Sequence, residues 1–194
     1  MRVPFVRLAL AALATAWLAS PARGQTTLTS GNATFTLNAV PTNENSATYS
    51  NVTFRPEGGT TTNHLYSQWL FYRVAGDTRE RPLGTYTRSD GGTVSLSGSA
   101  SADTMTYAIA ESAASVTRFT GNWTLQLQDG TVPGAATVLH TVTITNPLSA
   151  TSDLTLSLYH YLDFDLTGNF SNSASGDLSG MTITGGGRPG RTGR

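Results

Sequence analysis

Hydrophobic and polar residues alternate with a period of two along most of this chain. The longest such run is Leu154 to Leu166, LTLSLYHYLDFDL. Its even positions are Leu154, Leu156, Leu158, His160, Leu162, Phe164 and Leu166. Its odd positions, Thr155, Ser157, Tyr159, Tyr161, Asp163 and Asp165, all carry a polar atom. Side chains on a strand point alternately to opposite faces, so this run is a strand with one oily and one wet face; a helix would mix the two sets. The alternation predicts Leu156, Leu158, Leu162 and Phe164 in the core, with Tyr159 and Tyr161 toward solvent. At about 3.3 Å per residue the run outlasts an ordinary strand, which predicts a bulge or bend inside it.

The same period marks the rest of the chain. Ala33–Val40, Ala47–Arg55, Leu83–Arg88, Thr93–Ser97, Met105–Ile109, Val116–Gln128 and Thr137–Thr145 read as strands, divided by loops such as PTNENS (41–46), SDGG (89–92) and NPLSATSD (146–153). Leu65–Val74, LYSQWLFYRV, is apolar on both faces around Trp69 and reads as a central strand. ESAAS (111–115) breaks the alternation and is the one place that admits a short helical turn. Thr137–Thr145 and the Leu154 strand are neighbours in sequence and are expected to pair antiparallel, even faces inward. Beyond Leu166 the chain is polar, with one last short strand around Met181 and Ile183. The pattern predicts an all-β fold, an antiparallel β-sandwich of about eight to ten strands.

Composition divides the chain in three. Residues 1–24 have the form of a secretory signal: Arg2 and Arg7, an apolar run Leu8–Ala19, then small residues at Ser20, Ala22 and Gly24. Residues 25–184 form a single sandwich domain without cysteine, so packing rather than disulfides must hold it. Residues 185–194, GGGRPGRTGR after Thr184, have nothing apolar to bury and are expected to be disordered. This reading places the protein outside the cytoplasm: secreted, periplasmic or at the cell surface. The chain has no lysine, and its basic residues are all Arg, which with the Ala-rich leader points to a GC-rich bacterial source. Between Gln25 and Gly187 six Arg face twelve Asp and Glu, a net of −6. No basic patch crosses the body, which argues against a nucleic-acid partner. No later apolar run is long enough for a membrane span in the mature chain.

The candidate chemistry is sparse. Asp163 and Asp165 project from one strand face, and the run D-F-D-L-T-G-N partly matches a calcium loop with Gly168 at its sixth position. Thr167 and Ala174 stand where the loop needs further oxygen ligands, so Asn169 or Asp177 would have to contribute. The plainer reading is two solvated carboxylates at a strand end. A glycosidase acid and base need two carboxyls in different environments across a bound sugar, which neighbours on one strand face rarely provide. His64, His140 and His160 show no metal-ligand spacing, and His140 and His160 read as core residues with hydrogen-bond partners. Trp69 and Trp123 sit in apolar strands and read as core. Tyr159 and Tyr161, beside Asp163, are the better ligand-binding candidates. No motif of nucleophilic or nucleotide chemistry is present.

Two stretches, NHLYSQWLFYRVAGDTRERPL (63–83) and LSLYHYLDFDLTGN (156–169), resemble segments of uncharacterised exported bacterial β-rich proteins, some of which carry PEP-CTERM-type surface-sorting tails. The features are W-x-x-Y-R-V-x-G-D-T-R-E at Trp69–Glu80 and Y-x-D-x-D-L-x-G at Tyr161–Gly168, about a fifth of the chain together. The resemblance carries no activity to any residue. The sorting tail itself is missing, and with the polar end of the chain this leads us to expect either a fragment of a longer protein or a shifted reading frame at its end. The expected role is a non-catalytic cell-surface or extracellular structural or adhesive module. The alternative is a carbohydrate-binding module, with calcium as its only candidate cofactor and a glycan or surface matrix as partner; a hydrolase is the weakest reading.

Overall fold

The computed structural model describes residues 26–45, 52–57, 63–147 and 153–164, and the backbone of 172–177 and 180–185. Residues 1–25, which include the expected signal segment, and residues 186–194 lie outside them, as do Asp165 and Asn169. Among the described residues there are thirteen strands and no helix. Antiparallel sheets pack together as the alternation predicts. The strand number exceeds eight to ten because short pieces escape a pattern-based reading: β1 (Thr26–Ser30), the two-residue strand β5 (Arg81–Pro82), and β12 (Asn172–Asp177), which pairs with β13 (Gly180–Gly185); the run Leu83–Arg88 shortens to the two-residue β6 (Tyr86–Thr87).

The largest sheet is a meander. Its order is β10-β9-β8-β7-β6, where β7 is Thr93–Ala100, β8 Thr104–Ala113, β9 Val116–Asp129 and β10 Ala136–Thr145. Its inward residues include Val94, Leu96, Met105, Tyr107, Ile109, Phe119, Trp123, Leu125 and Leu127, all buried. A second sheet has the order β11-β4-β5, with β4 Leu65–Val74 and β11 Leu156–Phe164. It meets the first through Trp69, edge-on to Trp123 with ring centroids 5.1 Å apart, and Tyr72, edge-on to Phe119 at 5.3 Å. Such aromatic pairs add to the burial that drives the packing. A third sheet, β1-β2-β3, with β2 Ala33–Leu37 and β3 Val52–Arg55, packs β1 and β2 on β9 and β3 on β4. It buries Leu28, Phe35, Leu37 and Val52.

β4 is buried at Leu65, Ser67 to Leu70, Tyr72 and Val74, the two-faced central strand its sequence describes. Three expectations change. ESAAS holds no helical turn: β8 runs on to Ala113, and Ala114 and Ser115 make a two-residue hairpin with φ of 45° and 69°. β10 and β11 do not pair with each other. β10 pairs with β9 and β11 with β4, so each forms the edge of a different sheet. The core face of β11 is shallower than its alternation suggests: Leu156, Leu162 and Phe164 are half-buried, and Leu158 is 41% exposed. Alternation sets which way a side chain points; how deeply it is covered depends on the facing sheet, and at an edge that cover runs out. The expected irregularity is present, as a register shift between Asp163 and Phe164.

Candidate binding surface

The outward positions of the meander are Thr93, Ser95, Ser97 and Ser99 on β7; Thr104, Thr106, Ala108, Ala110 and Ser112 on β8; Thr120, Asn122, Thr124, Gln126 and Gln128 on β9; and Thr137, Leu139, Thr141, Thr143 and Thr145 on β10. None is charged. Register aligns them in rows across the sheet: Ser99, Thr106, Thr124, Thr141; then Ser97, Ala108, Asn122, Thr143; then Ser95, Ala110, Thr120, Thr145. Cross-strand hydrogen bonds tie the hydroxyls together, Thr106 to Thr124 at 3.3 Å and Thr93 to Ser112 at 3.0 Å. The result is a rigid array of hydroxyl and amide groups. An ordinary protein surface is about a quarter to a third charged, so a whole neutral face is a departure. The sequence signal was the threonine opposite each apolar position of β10, which by itself reads only as a solvated face.

Beside this face the sandwich is open among the described residues. The even positions of β10 and β11 confront each other across the gap between the two sheets, and His140 meets His160 with ring centroids 4.7 Å apart. Trp123 Nε1 donates to His140 Nδ1 at 3.2 Å, which gives His140 the buried hydrogen-bond partner expected of it. Burial, with the neighbouring His160 second, pushes the His140 pKa down to about 4. His160 is exposed overall, yet desolvation of its ring lowers its pKa too. With Nδ1 accepting the indole N–H, neutral His140 carries its proton on Nε2, which leaves no free nitrogen lone pair for a metal. Further along the gap lies an open groove of about 630 Å³ lined by Ile144, Asn146, Asp153, Leu154, Leu156 and Leu158.

A third feature lies inside one end of the molecule, and sequence reading missed it. Arg118 grips Asp77 with both Nη atoms, at 2.9 and 3.0 Å, and reaches Glu111 through Nε at 2.8 Å. Arg88 bonds Glu111 and Asp90, and Arg81 lies 2.8 Å from Asp77 and 3.3 Å from Glu44. Tyr72 Oη donates to Glu111 at 3.4 Å. The side chains of Arg88 and Glu111 are almost wholly buried. The register shift of β8 on β9 after Glu111 makes Arg118 the extra residue and lets it join the cluster. Burial raises the Asp77 pKa, but the bond to Arg118 and the charges of Arg118, Arg81 and Arg88 outweigh it and leave the net shift downward. Bonds from Ser89, opposed by burial and aided by Arg81 and Arg79, lower that of Glu44. Burial drives the Tyr72 hydroxyl far above its usual range. Asp77 and Glu44, held ionised by these partners, are poor general acids, and the paired charges make the cluster a device for cohesion. One signal was available: Glu111 falls on the inward period of β8, where a lone charge implies a buried partner.

The residues singled out from the sequence do not converge on one site. Tyr159 and Tyr161 are 37% and 41% exposed and stand across from Phe71 and Trp69 in the β11–β4 ladder. The Arg73 guanidinium lies 5.9 Å from the Tyr159 ring centroid. Asp163 is half-buried beside the bulge, opposite Ser67. Its proposed calcium partners Asp165 and Asn169 lie outside the described residues, and among the described residues no three metal-ligating side chains come together. Trp69 and Trp123 are fully buried, as core. Among the described residues no helix is long and apolar enough to cross a membrane. No protein-family model, curated protein or solved structure matches the chain.

Proposed function

We propose that the protein is an exported, non-catalytic β-sandwich that serves as a cell-surface or extracellular structural or adhesive module, and that it makes contact through the outward face of the meander. The neutral hydroxyl and amide array on that face carries the reading. Such a surface suits a neutral, polyhydroxylated matrix: it offers donors and acceptors in fixed rows and sets no charge against the partner. The arginine–carboxylate cluster supports the non-catalytic part, since its acids are neutralised rather than poised.

Depletion from solution by insoluble neutral polysaccharides tests this. Thr124→Glu with Thr141→Glu, both on the array, should reduce the bound fraction at least tenfold, while Tyr159→Ala with Tyr161→Ala leaves it unchanged. The opposite result would favour the second reading, a carbohydrate-binding module working through Tyr159 and Tyr161, which the exposed pair beside Arg73 supports. Repeating the assay in chelator, and with Asp163→Asn plus Asp165→Asn, checks calcium assistance: binding lost in both would establish it. Release of reducing ends from the bound polysaccharide would refute the non-catalytic assignment.

A further inference from the structure

The edges of this sandwich are unequally protected. An unpaired edge exposes a row of backbone donors and acceptors, and proteins blunt such edges with charge, proline, bulges or shortness. Here β5 and β6 have two residues each, and Pro82 lies in β5. β3 has four residues and carries Arg55, β1 has five, and β11 ends in a bulge beside Asp163. β10 has none of these devices. It is ten residues, ATVLHTVTIT, with no charge, proline or glycine, in unbroken register with β9. It ends its sheet, and among the described residues no strand lies on its outer side.

The ladder shows which groups β9 leaves unpaired. Gly130 N–H donates to Ala135 C=O at 2.8 Å, which makes that opposed pair a hydrogen-bonded one. Alternation then turns the N–H and C=O of Thr137, Leu139, Thr141, Thr143 and Thr145 toward β9. On the far side of β9, Leu127 N–H donates to Asp103 C=O at 2.8 Å, in the same phase. The backbone groups of Val138, His140, Val142 and Ile144 therefore point away from the sheet. Alternating donors and acceptors at this spacing are matched by another β-strand.

We propose that this strand is β10 of a second copy, paired antiparallel about a twofold axis through Thr141. That axis sets Val138 opposite Ile144 and His140 opposite Val142 at the hydrogen-bonded positions, with Thr137 opposite Thr145, Leu139 opposite Thr143 and Thr141 opposite itself. Apart from His140, every residue in these pairs is β-branched or apolar, the kind that stabilises a ladder. Charge identifies the occupant. Under a twofold, any charge near the axis meets its own copy, so a self-pairing strand must be neutral near its middle; a foreign strand imposes no such condition and is better recognised through opposite charge. β10 is neutral along its whole length in a body of net charge −6. The pairing joins two meanders into one sheet and their hydroxyl arrays into one face. It holds whatever that face binds.

Sedimentation velocity of the purified protein from about 1 to about 200 μM, a range spanning ordinary self-association constants, should show one chain passing to two and no further. Thr141→Lys sets two lysines opposite each other at the axis, their Cα atoms about 4.5 Å apart, on an exposed outward position. It should remain a single chain at every concentration, with wild-type circular dichroism. Mixing Thr141→Lys with Thr141→Asp should restore the pair that neither variant forms alone. If Thr141→Lys fails to fold, Thr141→Glu, which sets two carboxylates against each other at the same axis, makes the same measurement. A wild type that stays monomeric, assembly beyond two chains, a lysine variant that still pairs, or a mixture that does not would each overturn the proposal.

Discussion

Acid should loosen the molecule at His140 before it reaches the carboxylates. Burial and His160 hold the His140 pKa at about 4 against an ordinary 6.5. The folded protein therefore resists a proton that the unfolded chain accepts, so stability present above pH 6.5 is lost as pH falls toward 4. A displacement of this size, at about 1.4 kcal/mol per pH unit, sets a ceiling of about 3 kcal/mol, and roughly 2 kcal/mol of it is gone by pH 4.5. The perturbation that isolates it is His140→Gln, whose amide oxygen can still accept from Trp123 Nε1 but does not titrate. Urea unfolding followed by tryptophan fluorescence, at pH 7 and pH 4.5 and one ionic strength, gives four free energies. The lowered carboxylates Asp77, Glu44 and Asp90 contribute stability that falls away as pH drops through and below their ordinary values near 4; this loss is common to both proteins and cancels. Wild type should lose about 2 kcal/mol more than the variant over this window. Equal losses, to within about 0.5 kcal/mol, would refute this account of His140.

Other outcomes follow from the same packing. Glu111→Gln leaves Arg88 and Arg118 short of a buried counter-charge and should cost about 3–5 kcal/mol in urea unfolding. Leu125→Ala, at a fully buried position, should cost about 2–5 kcal/mol, whereas Leu158→Ala at the open edge should cost clearly less, about 1 kcal/mol. Ala114→Asn with Ser115→Gly fits the positive-φ hairpin better than the native pair and should raise stability by about 1 kcal/mol, read as a higher melting temperature.

Strand positions and their inward faces were legible because period-two alternation is a local property. Val94 and Leu96, Trp123 and Leu125, and the two-faced burial of Leu65–Val74 all follow from it. Partnership was not local. β11 leaves its sequence neighbour β10 to pair with β4, so a preference for adjacent hairpins misplaced it, and the open edge that results leaves Leu158 uncovered. The hairpin at Ala114 and Ser115 gave no sign because neither residue is the glycine or asparagine that such a turn favours. The charge cluster was split among Glu44, Asp77, Arg81, Arg88, Glu111 and Arg118, each unremarkable in its own segment. The hydroxyl face had the opposite difficulty: every threonine on it was visible, but its neutrality emerges only when four strands are laid side by side.

The arginine–carboxylate cluster also bears on how the molecule comes apart. Its members come from the loop at Glu44, the turn after β4, and strands β8 and β9, so peeling away any one of these strands a charge inside the others. Partial opening is thereby penalised more heavily than its lost apolar contacts alone would require. The chain has no cysteine with which to staple these segments. The ionic cluster takes over that role without dependence on redox conditions. It should make unfolding all-or-none and keep the populations of partly open forms, the forms that proteases cut, low.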